Sequence, residues 1–302
     1  MKTSGRDAIL SDAMEVRPLS GLSGAQVFLI TLDGRHWRVR KAAQTAAASD
    51  RLRGQARKQA AFAQEMQGLI STPTILDEGE IEGRFYYDME FVRGPDGTSY
   101  LLRASYDEVT RFADSLCQYL DAAAGRPPLS RSAGGTLFDA LYAKICDIQR
   151  VTGLISSENL ASLFLALDRV RRLGDVPMTL CHGDLTLENM VVEQDGRICV
   201  VDLLDSPFEH YWQDVAKLHQ DLSGGWYLLE QPPVAKCVLD FVSRRLLQAA
   251  TRLNPHYPEV HSLLVATTFA RILPYTRTPD ETSFVTDRIT YFARQSPRPS
   301  DA

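Results

Sequence analysis

The chain has 302 residues, 44% hydrophobic and 24% charged, a globular make-up long enough for two domains or one large one around a substantial core. A formal net charge of -5 leaves no basic stripe for nucleic acid, and no apolar stretch approaches a membrane span, so neither is an expected partner. The five cysteines are scattered, with no CxxC pair, which speaks against zinc or a disulfide framework. With an opening segment that lacks an apolar run, this makes a cytoplasmic protein with reduced thiols the expectation.

The first ninety or so residues read as a β-rich unit with one helix. Ala25 to Leu32 alternates, Asp33-Gly34 is a hairpin signal, and His36 to Lys41 returns as the partner strand. Arg51 to Met66 carries Leu52, Ala56, Ala60 and Ala63 at helical spacing. Thr74 to Glu78 and Arg84 to Phe91 form another strand pair about Glu82-Gly83. The breaker cluster Phe91-Val-Arg-Gly-Pro-Asp-Gly97 places a boundary, giving an N-terminal lobe over 1–93 and a C-terminal lobe over 94–302.

Beyond that boundary the pattern turns helical. Tyr106 to Ala123 and Thr136 to Gln149 are amphipathic, and Leu160, Leu163, Phe164, Leu167 and Val170 form a third stripe with caps at Ser156 or Ser157. Met178 to Cys181, Met190 to Glu193 and Ile198 to Asp202 read as short strands, the last two joined by the turn Gln194-Asp-Gly-Arg197. Helices resume near Gln213, and Pro274 breaks a late one. The fold class is α+β.

The chemistry concentrates in Cys181-His-Gly-Asp-Leu-Thr-Leu-Glu-Asn-Met190 and the run ending at Asp202. Phosphoryl transfer needs a carboxylate to orient an attacking hydroxyl and oxygen ligands to hold Mg²⁺ on nucleotide phosphates. Asp184 suits the first task, and Asn189 and Asp202 the second, since a hairpin brings them to one end of adjacent strands. Each residue alone would also serve as a turn former, cap or strand-end Asx turn; the order and spacing of all three favour catalysis. His182 is expected to fix the loop rather than move a proton.

The segment Leu180-Cys-His-Gly-Asp-Leu-Thr-Leu-Glu-Asn-Met190, with Val200-Val-Asp202, resembles the aminoglycoside phosphotransferase and choline kinase group, whose fold is like that of protein kinases. The resemblance implies a bilobal fold with a small β-rich N-lobe, one main helix and a larger helical C-lobe. It implies an ATP-dependent kinase, with GTP open as donor, that needs Mg²⁺ and acts on a hydroxyl of a sugar, aminoglycoside or amino alcohol. Gly183 stands where protein kinases carry Arg, and Asp202-Leu-Leu-Asp205 lacks their following Gly.

Residues of the N-lobe take roles from the same resemblance. Ser20-Gly-Leu-Ser-Gly-Ala-Gln26 resembles the loop over the ATP phosphates, through Gly21, Ser23 and Gly24. The phosphate cation is Lys41 or Arg40; alternation puts Lys41 on the apolar face with Trp37 and Val39, which favours it. Its helix partner is Glu65, Gln59 or Gln55. Met89, Glu90, Phe91 and Val92 resemble the hinge that receives adenine. Asp205, Glu209, Tyr211 and Trp212 are candidates for holding the acceptor, although the aromatic residues equally suit packing of the next helix. A protein serine/threonine kinase and a catalytically silent nucleotide-binding module remain the alternatives.

Overall fold

The computed structural model describes residues 8–19, 25–129, 136–173, 176–206 and 208–295. By its contacts the chain divides into two compact units, Met1–Gly94 with Val191–Asp205, and Pro95–Met190 with Ser206–Ala302.

The first unit is built on an antiparallel sheet of five strands, ordered β1-β2-β3-β5-β4. The strands are β1 (Glu15–Leu19), β2 (Ala25–Thr31), β3 (Trp37–Ala43), β4 (Ile75–Ile81) and β5 (Arg84–Glu90). Asp33 shapes the first hairpin, accepting the backbone N–H groups of Arg35 and His36 at 2.9 and 2.8 Å. The β4–β5 turn places both Glu82 and Gly83 at positive φ, 52° and 74°, the geometry that matches strand twist in a two-residue hairpin. Strand β1 was not expected: it is short, exposed along its length and contains Pro18, features of an edge strand with little hydrophobic signal.

Helix α1 (Ser49–Glu65) buries Leu52, Ala56, Gln59 and Phe62, in steps of four and three that share one face. The unit's core joins Leu52 and Ala56 to Val39, Ala43, Phe85, Tyr87 and Met89. The hairpin of β6 (Met190–Val192) and β7 (Ile198–Val200) is fastened here by Ser71, whose N–H donates to Ile198 and whose carbonyl accepts from Val200, at 3.0 and 2.8 Å. Gly94 is required nearby, since a Cβ there would lie 2.1 Å from the Val192 carbonyl oxygen.

The second unit is helical: α2 (Gly97–Leu101), α3 (Tyr106–Ala124), α4 (Leu137–Thr152), α5 (Ser157–Arg172), α6 (Tyr211–Leu222), α7 (Lys236–Leu253), α8 (Tyr257–Ala270) and α9 (Pro279–Gln295). Capping boxes at Ser105/Glu108 and Thr136/Asp139 start α3 and α4, and Ser156 caps α5. The apolar run Met178 to Cys181 is not a strand. It passes between loops, where Thr179 N–H bonds Glu209 and Leu180 N–H bonds Arg126, so no neighbouring ladder exists for it. Among the described residues no helix is long and apolar enough to cross a membrane.

Candidate active site

Strand β3 sends its two adjacent cations to opposite faces of the sheet. Arg40 is fully buried, its Nε and Nη2 bonded to Asp88 at 2.7 and 2.9 Å and its Nη1 and Nη2 to Asp12 at 2.6 and 2.9 Å. Nη1 also donates to the Ile9 carbonyl, and the guanidinium lies 4.4 Å from the Tyr86 ring centroid. Burial opposes its charge, but Asp88 and Asp12 raise its pKa above the usual arginine value. Arg40 is therefore committed to closing the sheet's far face.

Lys41 is equally buried on the core face, and its Nζ donates to Asp202 Oδ1. Burial disfavours the ammonium, yet the Tyr87 hydroxyl and the Asp202 carboxylate together hold its pKa above the ordinary lysine range. Asp202 follows β7 with φ of 63°, a left-handed conformation uncommon outside glycine. Of the helix residues weighed as partners of Lys41, Glu65 is exposed at the end of α1, Gln55 is buried, and Gln59 Nε2 donates to the Pro73 carbonyl at 2.7 Å. Lys58, missed in the sequence, donates from Nζ to the Leu204 carbonyl at 2.7 Å and ties α1 to the segment just past Asp202.

At the end of β5 the four residues expected to receive adenine separate. Met89 is buried in the core, Glu90 exchanges backbone and side-chain bonds with Thr74 (Glu90 N–H to Thr74 O and Thr74 N–H to Glu90 Oε2, both 3.0 Å), and Phe91 is exposed. Glu90, Phe91 and Val92 line a cleft of about 780 Å³ with Trp37, Leu76 and Glu193. Gly21, Ser23 and Gly24 lie outside the described residues.

In the second unit the loop 181–190 is held against α6. Asp214 Oδ2 accepts the His182 N–H and Oδ1 the Gly183 N–H, each at 2.8 Å, and the Tyr119 hydroxyl donates to the same carboxylate. Asp221 Oδ2 accepts the Leu187 N–H at 2.8 Å; its burial pushes the carboxyl pKa up to about 7. His182 is fully buried, and its Nδ1 accepts the Asp184 N–H at 3.2 Å. Asn189 Nδ2 donates to the Asp184 carbonyl at 2.8 Å and to its Oδ2 at 3.2 Å. Lys217 Nζ lies 2.8 Å from Asp184 Oδ1. Burial would raise the Asp184 pKa, but the Lys217 ammonium, followed by Arg271 and His182, holds it below the ordinary carboxylate range.

The structure thus joins Lys41 with Asp202 in one unit and Asp184 with Asn189 in the other. The acceptor candidates fare differently. Glu209, Tyr211 and Trp212 are 0%, 3% and 1% exposed. Glu209 Oε1 accepts the Ser206 N–H at 3.2 Å, and Trp212 packs against Tyr257 and His210. Asp205 is exposed, with Oδ2 facing Gly54. Lys217 and Asp221 were missed, though Asp214, Lys217 and Asp221 fall at helical spacings of three and four, a signal that one charged face of α6 has a task.

Residues 15–257 match the phosphotransferase enzyme family. The chain belongs to that family. It is a phosphotransferase with an alcohol group as acceptor, a small-molecule kinase, on a protein kinase-like fold. The structure of the GDP complex of an aminoglycoside 2'-phosphotransferase-IIIa is 14% identical with a TM-score of 0.68, covering 97% of this chain and 98% of that one. A Thermobifida fusca protein named a putative fructosamine-3-kinase is 18% identical with a TM-score of 0.62, covering 97% of this chain and 100% of that one. The choline kinase LicA of Streptococcus pneumoniae is 14% identical with a TM-score of 0.59, covering 96% of each chain. Among curated proteins none matches the phosphotransferase by sequence.

Proposed function

We propose that this phosphotransferase moves the γ-phosphoryl group of ATP or GTP to a hydroxyl of a sugar, aminoglycoside or amino-alcohol type acceptor. Asp184 accepts the hydrogen bond of the acceptor hydroxyl and aims its oxygen at the γ-phosphorus. Its carboxylate suits that task because Lys217 favours the ionised form despite burial. Lys41 offers the ammonium for the nucleotide phosphates, and Glu90 to Val92 offer backbone groups for the base, beside the cleft they line. The aminoglycoside, fructosamine and choline kinases that share the fold support acceptors of this small, hydroxyl-bearing kind.

Asn189 and Asp202 each carry an oxygen of the hard kind that Mg²⁺ prefers. Asn189 spends its Nδ2 on Asp184, which leaves its amide oxygen for a ligand, and Asp202 adds a partly exposed carboxylate. Among the described residues no group of three or more His, Cys, Asp or Glu could hold a metal ion by itself. When bound, the ion would neutralise charge on the β- and γ-phosphate oxygens.

The observation that carries this reading is the fixing of Asp184: the loop backbone on both sides is pinned by buried carboxylates, while its own carboxylate stays partly exposed. A transfer screen with γ-labelled ATP and GTP against sugars, amino alcohols and aminoglycosides tests it. Label is expected on one acceptor class, and to vanish with Asp184→Asn. Transfer that survives Asp184→Asn undiminished would overturn the assignment.

A further inference from the structure

Helix α6 turns Asp214, Lys217 and Asp221 to the loop that precedes it in sequence, and all three are buried. The two carboxylates take backbone N–H groups, of His182 and Gly183 at one end of the loop and Leu187 at the other. Lys217, between them, reaches a side chain instead. Its Nζ sits 2.8 Å from Asp184 Oδ1 and 3.2 Å from Gln220 Oε1. The opposite carboxylate oxygen, Oδ2, meets the Asn189 amide at a longer 3.2 Å. The aspartate is thus gripped at one oxygen and loosely touched at the other.

Burying a lysine costs desolvation and side-chain entropy, and an aliphatic residue at this helix position would avoid both. A charge-assisted bond to one chosen oxygen does what an aliphatic residue cannot: it fixes the rotation of the carboxylate. We propose that Lys217 is a positioning residue for phosphoryl transfer, clamping Asp184 Oδ1 so that Oδ2 is presented to the acceptor hydroxyl. The proposal rests on the reading of Asp184 as the group that orients that hydroxyl. Misplacement of a reacting group by about 1 Å can cost on the order of 10²-fold in rate, so the clamp belongs to turnover rather than to nucleotide affinity.

The test uses the full chain and γ-labelled Mg·ATP with water as acceptor, read as released phosphate, for the parent, Lys217→Met, Lys217→Arg and Asp184→Asn. Lys217→Met is expected to lower kcat at least tenfold with KM for ATP within about twofold, and Lys217→Arg to recover most of the loss. A Met variant with parental kcat overturns the proposal. So does a loss that appears equally in KM and in a melting temperature lowered by ten degrees or more, because a merely structural pair would behave that way. Asp184→Asn separates the two levels. Parental turnover in that variant removes the functional reading itself, whereas an inactive Asp184→Asn beside a fully active Lys217→Met removes the clamp alone.

Discussion

Asp214 Oδ1 accepts the Gly183 N–H at 2.8 Å, and Gly183 stands at φ of 91°, outside the range that side-chain-bearing residues favour. The second oxygen of the same carboxylate takes the His182 N–H, so one buried group fixes two successive peptides of the loop. Asp214→Ala would remove the buried acceptor of the Gly183 N–H and of the Tyr119 hydroxyl, and leave the His182 N–H with its longer bond to the Tyr119 oxygen at 3.2 Å. Each buried donor left unsatisfied costs about 1–3 kcal/mol. The variant is expected to melt several degrees below the parent by calorimetry and to lose turnover with it. Tyr119→Phe, which removes one donor and leaves the two backbone bonds, should be milder. Equal melting temperatures for Asp214→Ala and the parent would show that the loop does not depend on this anchor.

Asp184→Asn keeps the shape of the side chain and removes its charge. General-base positioning contributes on the order of 10²–10⁴-fold to rate, and turnover should fall by that much while ATP binding, measured by equilibrium titration, stays near the parental value. A variant that loses binding and turnover together would place Asp184 in nucleotide affinity instead.

The neighbours Arg40 and Lys41 separate fold from function. Arg40 satisfies Asp88 and Asp12 from the sheet interior, so Arg40→Met would leave the buried carboxylate of Asp88 with only the more distant Arg38, at 3.9 Å. Breaking such a pair costs roughly 3–5 kcal/mol, and the expected signature is a lower urea midpoint. Lys41→Met is expected to act on KM for ATP. It leaves behind Asp202, which is partly exposed and can be hydrated. Opposite results for the two variants would reassign the phosphate cation to Arg40.

Alternation along Trp37 to Lys41 carried this split in advance, because strand period two is a local property of the chain. The meeting of Asp184 and Asn189 was legible for a similar reason: both lie on one short segment. Strand β1 was not, since five exposed residues with a proline bury nothing that would leave a pattern. Charge and aromaticity after Asp202 suggested an acceptor site, whereas the burial of Glu209, Tyr211 and Trp212 depends on tertiary neighbours that the local sequence does not encode. Lys217 was missed because its partner lies 33 positions earlier, across a fold that no local period encodes.

The second unit is expected to lose stability in acid through its buried histidines. His219 bonds the Val215 carbonyl through Nδ1 at 2.8 Å and Ser243 through Nε2 at 3.0 Å, and His261 meets its ring edge-on at 4.6 Å. Burial lowers the His219 pKa to about 4, from 6.5 for an exposed histidine. The unfolded chain therefore takes up a proton at this position below about pH 6.5, while the folded chain does so only near 4. Stability from the neutral ring is complete above 6.5 and is lost as pH falls through this window, by roughly 2 kcal/mol between pH 7 and 5. Asp221 works in the opposite sense, because its raised pKa of about 7 makes the folded state less favoured as pH climbs from 3.8 to 7. The informative quantity is thus a difference: the change in urea midpoint from pH 7 to 5 for the parent minus that for His219→Gln. The parent should lose more on acidification than the variant. Equal losses would shift the acid sensitivity to His210 and His261, whose pKa values burial also lowers.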